Sequence, residues 1–190
     1  MANHEYWVAL SSVEGIGPVR IKYLLKRFGA IESVFEAELL EIARLPLFDQ
    51  VLASRVSRAR LGLIEIRRRI EWLKSQGIYI VCLEDLEYPA QLQELQNAPP
   101  VLCCLGKLQE IPYNRSVTIV GSRNPSDLAI LETLNLTAQL VGAGFTIISG
   151  LANGIDTTAH LGTLSASGRT VAVIGSDLLS IHPADNRQLA

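Results

Sequence analysis

Three short turns rich in glycine and serine follow β-like runs in the second half of the sequence. In chain order they are Gly121-Ser122-Arg123, Ser149-Gly150-Leu151 and Gly175-Ser176-Asp177. The runs before them span residues 117–120, 145–148 and 170–174. Because the carboxyl ends of parallel strands meet at one edge of an open α/β sheet, these turns are expected to line one crevice, where ligands bind.

The chemistry that such turns favour is anion binding. Helix starts present unpaired N–H groups, and glycines let a phosphate approach the backbone. The first turn leads into a predicted helix with Asn124 as its cap and Pro125 as its first residue, and a second helix is predicted to start near Ile155 or Asp156. Arg123 adds a fixed charge with planar donors, so a phosphodiester fits. The alternative is that the glycines only make tight strand-to-helix turns.

Two common phosphate-binding fingerprints are absent from the sequence. No glycine-rich loop ends in Gly-Lys-Ser or Gly-Lys-Thr, and no Gly-x-Gly-x-x-Gly joins a strand to a helix, which argues against an ordinary NTPase or NAD enzyme. His160 follows Asp156 by four residues on the predicted helix, a spacing for proton transfer or for a hydrogen bond to Asp156 or the backbone. Metal binding by these residues with His182 has no specific spacing, and no metal or cofactor is expected.

Composition sets the broad class of protein. The chain has 190 residues, a formal net charge of −2 and a pI of about 5.9, so a nucleic-acid partner would need a local basic patch. The amino terminus lacks a basic, apolar leader and no apolar run is long enough to span a membrane, so a cytoplasmic protein is expected. Cys82, Cys103 and Cys104 have no metal-ligand spacing and are interpreted as small hydrophobic residues.

The sequence divides into a helical domain, residues 1–76, and a parallel α/β domain, residues 77–190. Helical periodicity runs from residue 4 to residue 76, with a predicted break at Gly62. Gly15-Ile16-Gly17-Pro18 forms a predicted hairpin that either holds a DNA phosphate or merely joins two helices. Strands predicted at residues 78–83 and 101–105 link the halves or form an edge of the later sheet.

Specific motifs carry a resemblance to a known family. Residues 120–123 (VGSR), 148–156 (ISGLANGID) and 170–175 (TVAVIG) are similar to the DNA-processing protein A family, DprA or Smf. The resemblance covers nearly the whole chain. It implies a sterile-alpha-motif-like or helix-hairpin-helix domain followed by a Rossmann-like domain, which this sequence enters but does not complete.

The resemblance also implies a function and a set of site residues. Members of the family bind single-stranded DNA, protect it, help load the RecA recombinase in natural transformation, form homodimers as full-length proteins, and are not known as enzymes. The residues expected at DNA phosphates are Gly121, Ser122, Arg123, Ser149, Gly150, Gly154 and Ile155. Those expected to shape the pocket are Asp156, His160 and Asn186, and a second DNA contact is expected at Gly15, Ile16 and Gly17.

Two other functions stay open at this stage. One is a Rossmann-type protein that binds mononucleotides. The other is a nucleoside-monophosphate phosphoribohydrolase of the lysine-decarboxylase-like group, although its Pro-Gly-Gly-x-Gly-Thr motif is absent from these residues. Asp177, where the family usually has a small residue, would repel phosphate near the crevice.

Overall fold

The structure is a computed structural model that describes residues 3–190. Contacts between backbone positions group the chain into two compact units, Met1–Gln109 and Glu110–Ala190. Helices and a two-stranded sheet make up the described part of the first unit, whereas the second contains a three-stranded sheet with two long helices.

The helices of the first unit are α1 (His4–Ser11), α2 (Pro18–Phe28), α3 (Ile31–Glu36), α4 (Leu39–Ala43), α5 (Gln50–Ala59), α6 (Leu63–Ser75) and α7 (Ala90–Gln93). Its strands are β1 (Ile78–Cys82) and β2 (Val101–Leu105). The second unit runs through β3 (Ser116–Thr118), α8 (Asp127–Gly142), β4 (Thr146–Ser149), α9 (Ile155–Ser165) and β5 (Thr170–Ala172). Short 3-10 turns lie at Arg60–Gly62, Leu108–Glu110, Tyr113–Arg115 and Ala184–Asn186.

The helical pattern of the first unit is confirmed. Helix α2 begins at Pro18, where a proline costs no helical hydrogen bond, and Gly29 ends it at φ +82°. The predicted break at Gly62 is a 3-10 turn between α5 and α6. The buried side chains of these helices, including Trp7, Leu10 and Leu24, form one apolar core.

The expectation that residues 78–83 and 101–105 form an edge of the later sheet is wrong. Strands β1 and β2 pair with each other, antiparallel, from Ile78 opposite Leu105 to Cys82 opposite Val101. Ile80, Val81 and Cys82 of β1 are buried in the same core as α1. The hairpin therefore completes the helical core, because that core supplies the apolar partners for its inward face.

This packing places the division between compact units after Gln109 rather than at residue 76. The physical reason is the burial of β1 and β2 with the helices. The predicted domain boundary between residues 76 and 77 stays a prediction.

The second unit confirms the parallel α/β class. Its strands lie in the order β3-β4-β5 and both pairings are parallel, Ser116–Thr118 with β4 and β4 with Thr170–Ala172. Each strand is followed by a turn, and the first two turns lead into helices. The three predicted turns thus lie at the carboxyl edge of one sheet.

Helix α9 begins at Ile155, as predicted, but α8 begins two residues later than predicted. Its cap is Ser126, whose hydroxyl accepts the N–H of Ala129 at 3.3 Å. The N–H of Asn124 is bonded instead to the Ser122 hydroxyl at 3.1 Å. Asn124 therefore belongs to the turn after β3, and the turn is longer than the sequence indicated.

Helices α8 and α9 pack closely on each other and on β4. At Gly162 of α9, an added Cβ would overlap the Thr137 hydroxyl of α8. The buried hydroxyls of Thr133 and Thr137 donate to carbonyls of their own helix, while Leu128 and Leu131 are exposed. The small residues face inward because they let the two helices approach.

Candidate nucleic-acid interface

The turn after β3 is held against the start of α9 by a buried carboxylate. The N–H of Gly121 donates to Oδ1 of Asp156 at 3.3 Å, and Asp156 is buried in the first turn of α9. A Cβ on Gly121 would lie 2.8 Å from the side chain of Ile155. Glycine is therefore required at residue 121 for the turn to reach the helix.

The turn after β4 is held by the same carboxylate. The N–H of Gly150 donates to Oδ2 of Asp156 at 3.1 Å, so the two oxygens of one side chain each hold one turn. The position of Asp156 near the amino terminus of α9 also stabilises its negative charge through the helix dipole. Asp156 thus fixes two predicted turns at a common edge.

Gly154 brings the two turns into direct contact. It precedes α9 with φ +86°, and a Cβ there would overlap the carbonyl oxygen of Ser122 and lie 2.8 Å from the carbonyl carbon of Arg123. The next N–H, that of Ile155, donates to the Ser122 carbonyl at 3.0 Å. The Ser122-Arg123 backbone therefore rests on the end of α9.

Replacing Gly154 with alanine should displace the Ser122-Arg123 turn and lower the stability of the second unit. A side chain at φ +86° and ψ −127°, a backbone conformation that favours glycine, costs about 1–3 kcal/mol before the overlap with Ser122 is counted. Gly175→Ala is the matched control, since Gly175 lies in the third turn with open space around its Cα. Urea unfolding of both variants is the measurement, and an equal midpoint for the two would contradict the close approach.

Two buried polar side chains fix the loop between β4 and α9. The Ser149 hydroxyl donates to the Ile119 carbonyl at 2.6 Å, which ties β4 to the chain leaving β3. Asn186 is buried and its Nδ2 donates to the Leu151 carbonyl and to the Thr157 hydroxyl, both at 2.8 Å. Leu151 is itself in the left-handed region at φ +58°. The loop is therefore anchored from both sides.

His160 is buried inside the second unit. Its Nδ1 is 2.7 Å from the Thr170 hydroxyl, which donates its single proton to the Ile147 carbonyl at 2.9 Å. Nδ1 must then carry the ring proton, and the buried Nε2 has no hydrogen-bond partner among the described residues. Burial lowers the pKa of His160, and the opposing effect of Asp156 is smaller. The ring is a neutral packing residue, and its partner is Thr170 rather than Asp156.

Because burial lowers the pKa of His160, acid should destabilise the protein. The unfolded chain takes up a proton near pH 6.5 that the folded protein resists, so stability is complete above that pH and falls as the pH drops below it. His160→Gln should show a shallower loss of stability between pH 7.5 and pH 5, while His182→Gln, at an exposed histidine, should keep the wild-type slope. Equal slopes for wild type and His160→Gln would contradict this account.

The exposed charge of the site is Arg123. Its side chain is exposed and makes no hydrogen bond or ion pair with another described residue. In the third turn, Asp177 is also exposed, but its Oδ1 accepts the N–H of Leu179 at 2.9 Å. The first turn therefore offers the unpaired guanidinium of Arg123 to a ligand. In the third turn, the carboxylate of Asp177 is bonded within its own turn.

The residues predicted to contact DNA phosphates fall into two groups, according to whether their turn is exposed or their hydrogen-bond donors are already used inside the protein. Gly121, Ser122 and Arg123 form an exposed turn, although the Gly121 N–H is bonded to Asp156. The donors of three others are bonded inside the protein, namely those of Ser149, Gly150 and Ile155. Sequence reasoning did not find Thr157 and Thr170, which hold Asn186 and His160, because single threonines in ordinary positions carry no motif.

The predicted second contact belongs to the first unit. Gly15, Ile16 and Gly17 join α1 to α2, and Gly15 has φ +89°. Ile16 is buried, while the Gly15 carbonyl accepts a hydrogen bond from Arg20 at 2.8 Å. Gly17 has open space around its Cα. The hairpin is therefore formed as predicted, with Gly15 exposed and Gly17 partly buried.

None of the helices over residues 3–190 is long and apolar enough to cross a membrane.

The model of the family described as DNA recombination-mediator protein A matches residues 79–190. The chain is 37% identical over 197 aligned residues to protein Smf of Synechocystis sp., covering 100% of this chain and 48% of that protein. It is 35% identical over 117 residues to the DNA processing protein DprA of Bacillus subtilis, covering 62% of this chain and 39% of that protein.

A solved structure is similar to the whole of this chain. The X-ray structure of DNA processing protein A from Streptococcus pneumoniae matches 100% of this chain and 63% of its own chain, with a TM-score of 0.75 and 25% identity. This agreement supports the Rossmann-like DprA fold for the α/β part. The chain spans about half the length of the curated relatives it matches. The family match over residues 79–190, together with these relatives, shows that the chain belongs to the DNA recombination-mediator protein A family.

Proposed function

We propose that this protein binds single-stranded DNA through the Ser122-Arg123 turn, as part of a recombination mediator. The observation that carries the proposal is the Arg123 side chain, which is exposed and has no partner among the described residues. Its backbone is held by Gly154 and, through Gly121, by Asp156. A charged donor on a fixed, solvent-facing turn suits a phosphate, because the backbone of the turn is already ordered and only the arginine side chain has to be ordered on binding.

In this proposal the other site residues position the turn. Ser149, Gly150 and Ile155 use their donors within the protein, so we assign them to holding the loops rather than to contacting phosphate. Asn186 and His160 anchor the loop and the strand behind it. The phosphate then meets Arg123 and the exposed edge of the Gly121-Ser122 turn.

The composition of the turns favours contacts to the sugar-phosphate backbone over contacts to bases. In residues 110–190 the aromatic residues are Tyr113 and Phe145, and neither lies in the three turns. Base stacking on aromatic side chains therefore contributes little at this site, and binding should depend strongly on salt and weakly on base sequence.

We propose that the bound strand is protected and passed to the RecA recombinase in natural transformation, in the cytoplasm and without catalysis by this protein. Membership in the recombination-mediator family supports that role. A full-length homodimer belongs to the same proposal. Faster RecA ATPase on single-stranded DNA in the presence of the protein would support it, and no change in that rate would count against it.

The first experiment is fluorescence anisotropy of a labelled oligo-thymidine over a salt series, with AMP as competitor. Displacement of the oligonucleotide only by other oligonucleotides supports the DNA proposal. Equal displacement by AMP, phosphate for phosphate, would favour a mononucleotide-binding protein instead. Release of free adenine from AMP would favour a phosphoribohydrolase, the remaining alternative.

We also propose that the Gly15-Gly17 hairpin makes a second contact with DNA phosphates. Gly17 has φ −114° and open space around its Cα, so a side chain fits there without backbone strain. Gly17→Glu should lower affinity for DNA by placing a negative charge at the hairpin, while Gly17→Gln is the neutral control. The measurement is an anisotropy titration of each variant with labelled oligo-thymidine. Equal affinity of the two variants for DNA would mean that the hairpin does not contact it.

A further inference from the structure

Three side chains of metal-ligand type meet in the first unit, apart from the turns described above. Atoms of His4, Cys82 and Asp85 that can ligate a metal all lie within 4.8 Å of one another. The Cys82 side chain is buried, and the other two residues are partly buried. Among the described residues this is the one group of three or more such side chains.

Backbone hydrogen bonds hold two of these residues in place. Cys82 ends β1, and Asp85 lies in the turn that follows it. The Asp85 N–H donates to the Cys82 carbonyl at 2.9 Å, and the Cys82 N–H donates to Oδ2 of Asp85 at 2.7 Å. The thiol and the carboxylate are thus presented from one tight turn, with the two-residue separation that paired zinc ligands often have.

The third residue comes from the start of the chain. His4 is the first residue of α1, and its Nε2 lies 2.9 Å from Oδ2 of Asp85. In a tetrahedral zinc site the ligand atoms lie about 2.0–2.3 Å from the metal, which separates nitrogen and oxygen ligands by about 3.3 Å. A small outward movement of the His4 ring would therefore admit a metal ion in place of the shared proton.

Carboxylates lie beside the thiol in this turn. Asp85 belongs to the cluster itself, and Glu84 precedes it in the chain. A divalent cation would offset the repulsion between these charges and a Cys82 thiolate, the form that a metal ligand must take.

We propose that His4, Cys82 and Asp85 bind one zinc ion, which fastens the first turn of α1 to the end of β1. A sulfur, a nitrogen and an oxygen form a ligand set that zinc accepts, and water completes the tetrahedron. On binding, the Cys82 thiol releases its proton to solvent and His4 ligates through Nε2 with its proton on Nδ1. The water position distinguishes this site from closed zinc sites with four protein ligands, and the effect of the ion is to join two elements of one core.

The test uses the full chain with any polyhistidine tag removed. Cobalt titration is the first measurement, because a thiolate-ligated tetrahedral cobalt site gives a sulfur-to-metal charge-transfer band and intense visible bands. Zinc affinity follows from competition with a chromophoric chelator. We expect a single site per chain and a rise in melting temperature with zinc.

Three variants remove one ligand each and should weaken zinc affinity at least tenfold, namely Cys82→Ser, Asp85→Asn and His4→Gln. The asparagine can still accept the Cys82 N–H, so this variant keeps the turn even if Cys82→Ser does not fold. Cys104→Ser and His182→Gln are controls, since Cys104 lies opposite Tyr79 rather than Cys82 in the β1-β2 pair and His182 lies in the second unit. A cobalt spectrum without a thiolate band, or equal losses in controls and ligand variants, would overturn the proposal.

Discussion

Replacing Arg123 with alanine should weaken binding of oligo-thymidine about 10- to 100-fold at low salt. A hydrogen bond to a charged group contributes about 1.5–3 kcal/mol, and Arg123 is the one charged residue in the turn, residues 121–126. The plot of log affinity against log salt concentration should also become shallower by about 0.7, the value for one phosphate contact on a single strand. Anisotropy titrations at several salt concentrations give both quantities.

The matched control for this prediction is Arg115→Ala. Arg115 is exposed like Arg123 but precedes β3, so it lies at the opposite edge of the same sheet. It removes the same charge from the same unit, and its effect on affinity should be small. If both variants lose affinity equally, binding follows the net charge of the unit and the Arg123 site is not supported.

The location of the candidate site could be predicted from sequence, because strand-turn-helix order fixes it. Parallel strands place their carboxyl ends together, so the turns at residues 121 and 150 had to meet whatever their exact bounds. The start of α9 at Ile155 followed from the same pattern. These features depend on local sequence and on the handedness of the connections.

The use of each donor could not be predicted. The sequence offers the N–H groups of Gly121 and Gly150 to any anion, and the structure shows that the anion they meet is the carboxylate of Asp156. Whether these N–H groups bond to a protein carboxylate or to a ligand phosphate depends on the distance between the turns. That distance cannot be read from the spacing of residues in the sequence. The same holds for His160, whose partner Thr170 lies on the next strand rather than on its own helix.

The packing partners of β1 and β2 could not be predicted from the sequence either. Residues 78–82 are apolar along their length, which suits a strand in either unit. Their burial with Trp7 and Leu10 depends on the shape of the helical core, a tertiary property. The buried face of α8 could not be predicted for a related reason, since its close approach to α9 favours small residues over leucines at the contact.

Replacing Asp156 with alanine should lower the free energy of unfolding of the second unit by about 1–4 kcal/mol. The substitution leaves the N–H groups of Gly121 and Gly150 without their acceptor, which costs about 1–3 kcal/mol for a buried donor and less for the exposed Gly121, whose N–H can bond to water. The two turns would then separate, so affinity for oligo-thymidine should also fall even where the protein remains folded. Urea unfolding and anisotropy on the same sample measure the two effects.

Asp127 provides the control that separates bridging from simple helix charge. It lies in the first turn of α8 as Asp156 lies in the first turn of α9, but it is exposed and the N–H groups of the strand-end turns are not bonded to it. Asp127→Ala should therefore cost only the helix-dipole contribution, about 0.3–1 kcal/mol, with DNA affinity unchanged. Equal costs at the two positions would mean that Asp156 acts through the dipole alone, and the turns would then need another explanation for their fixed geometry.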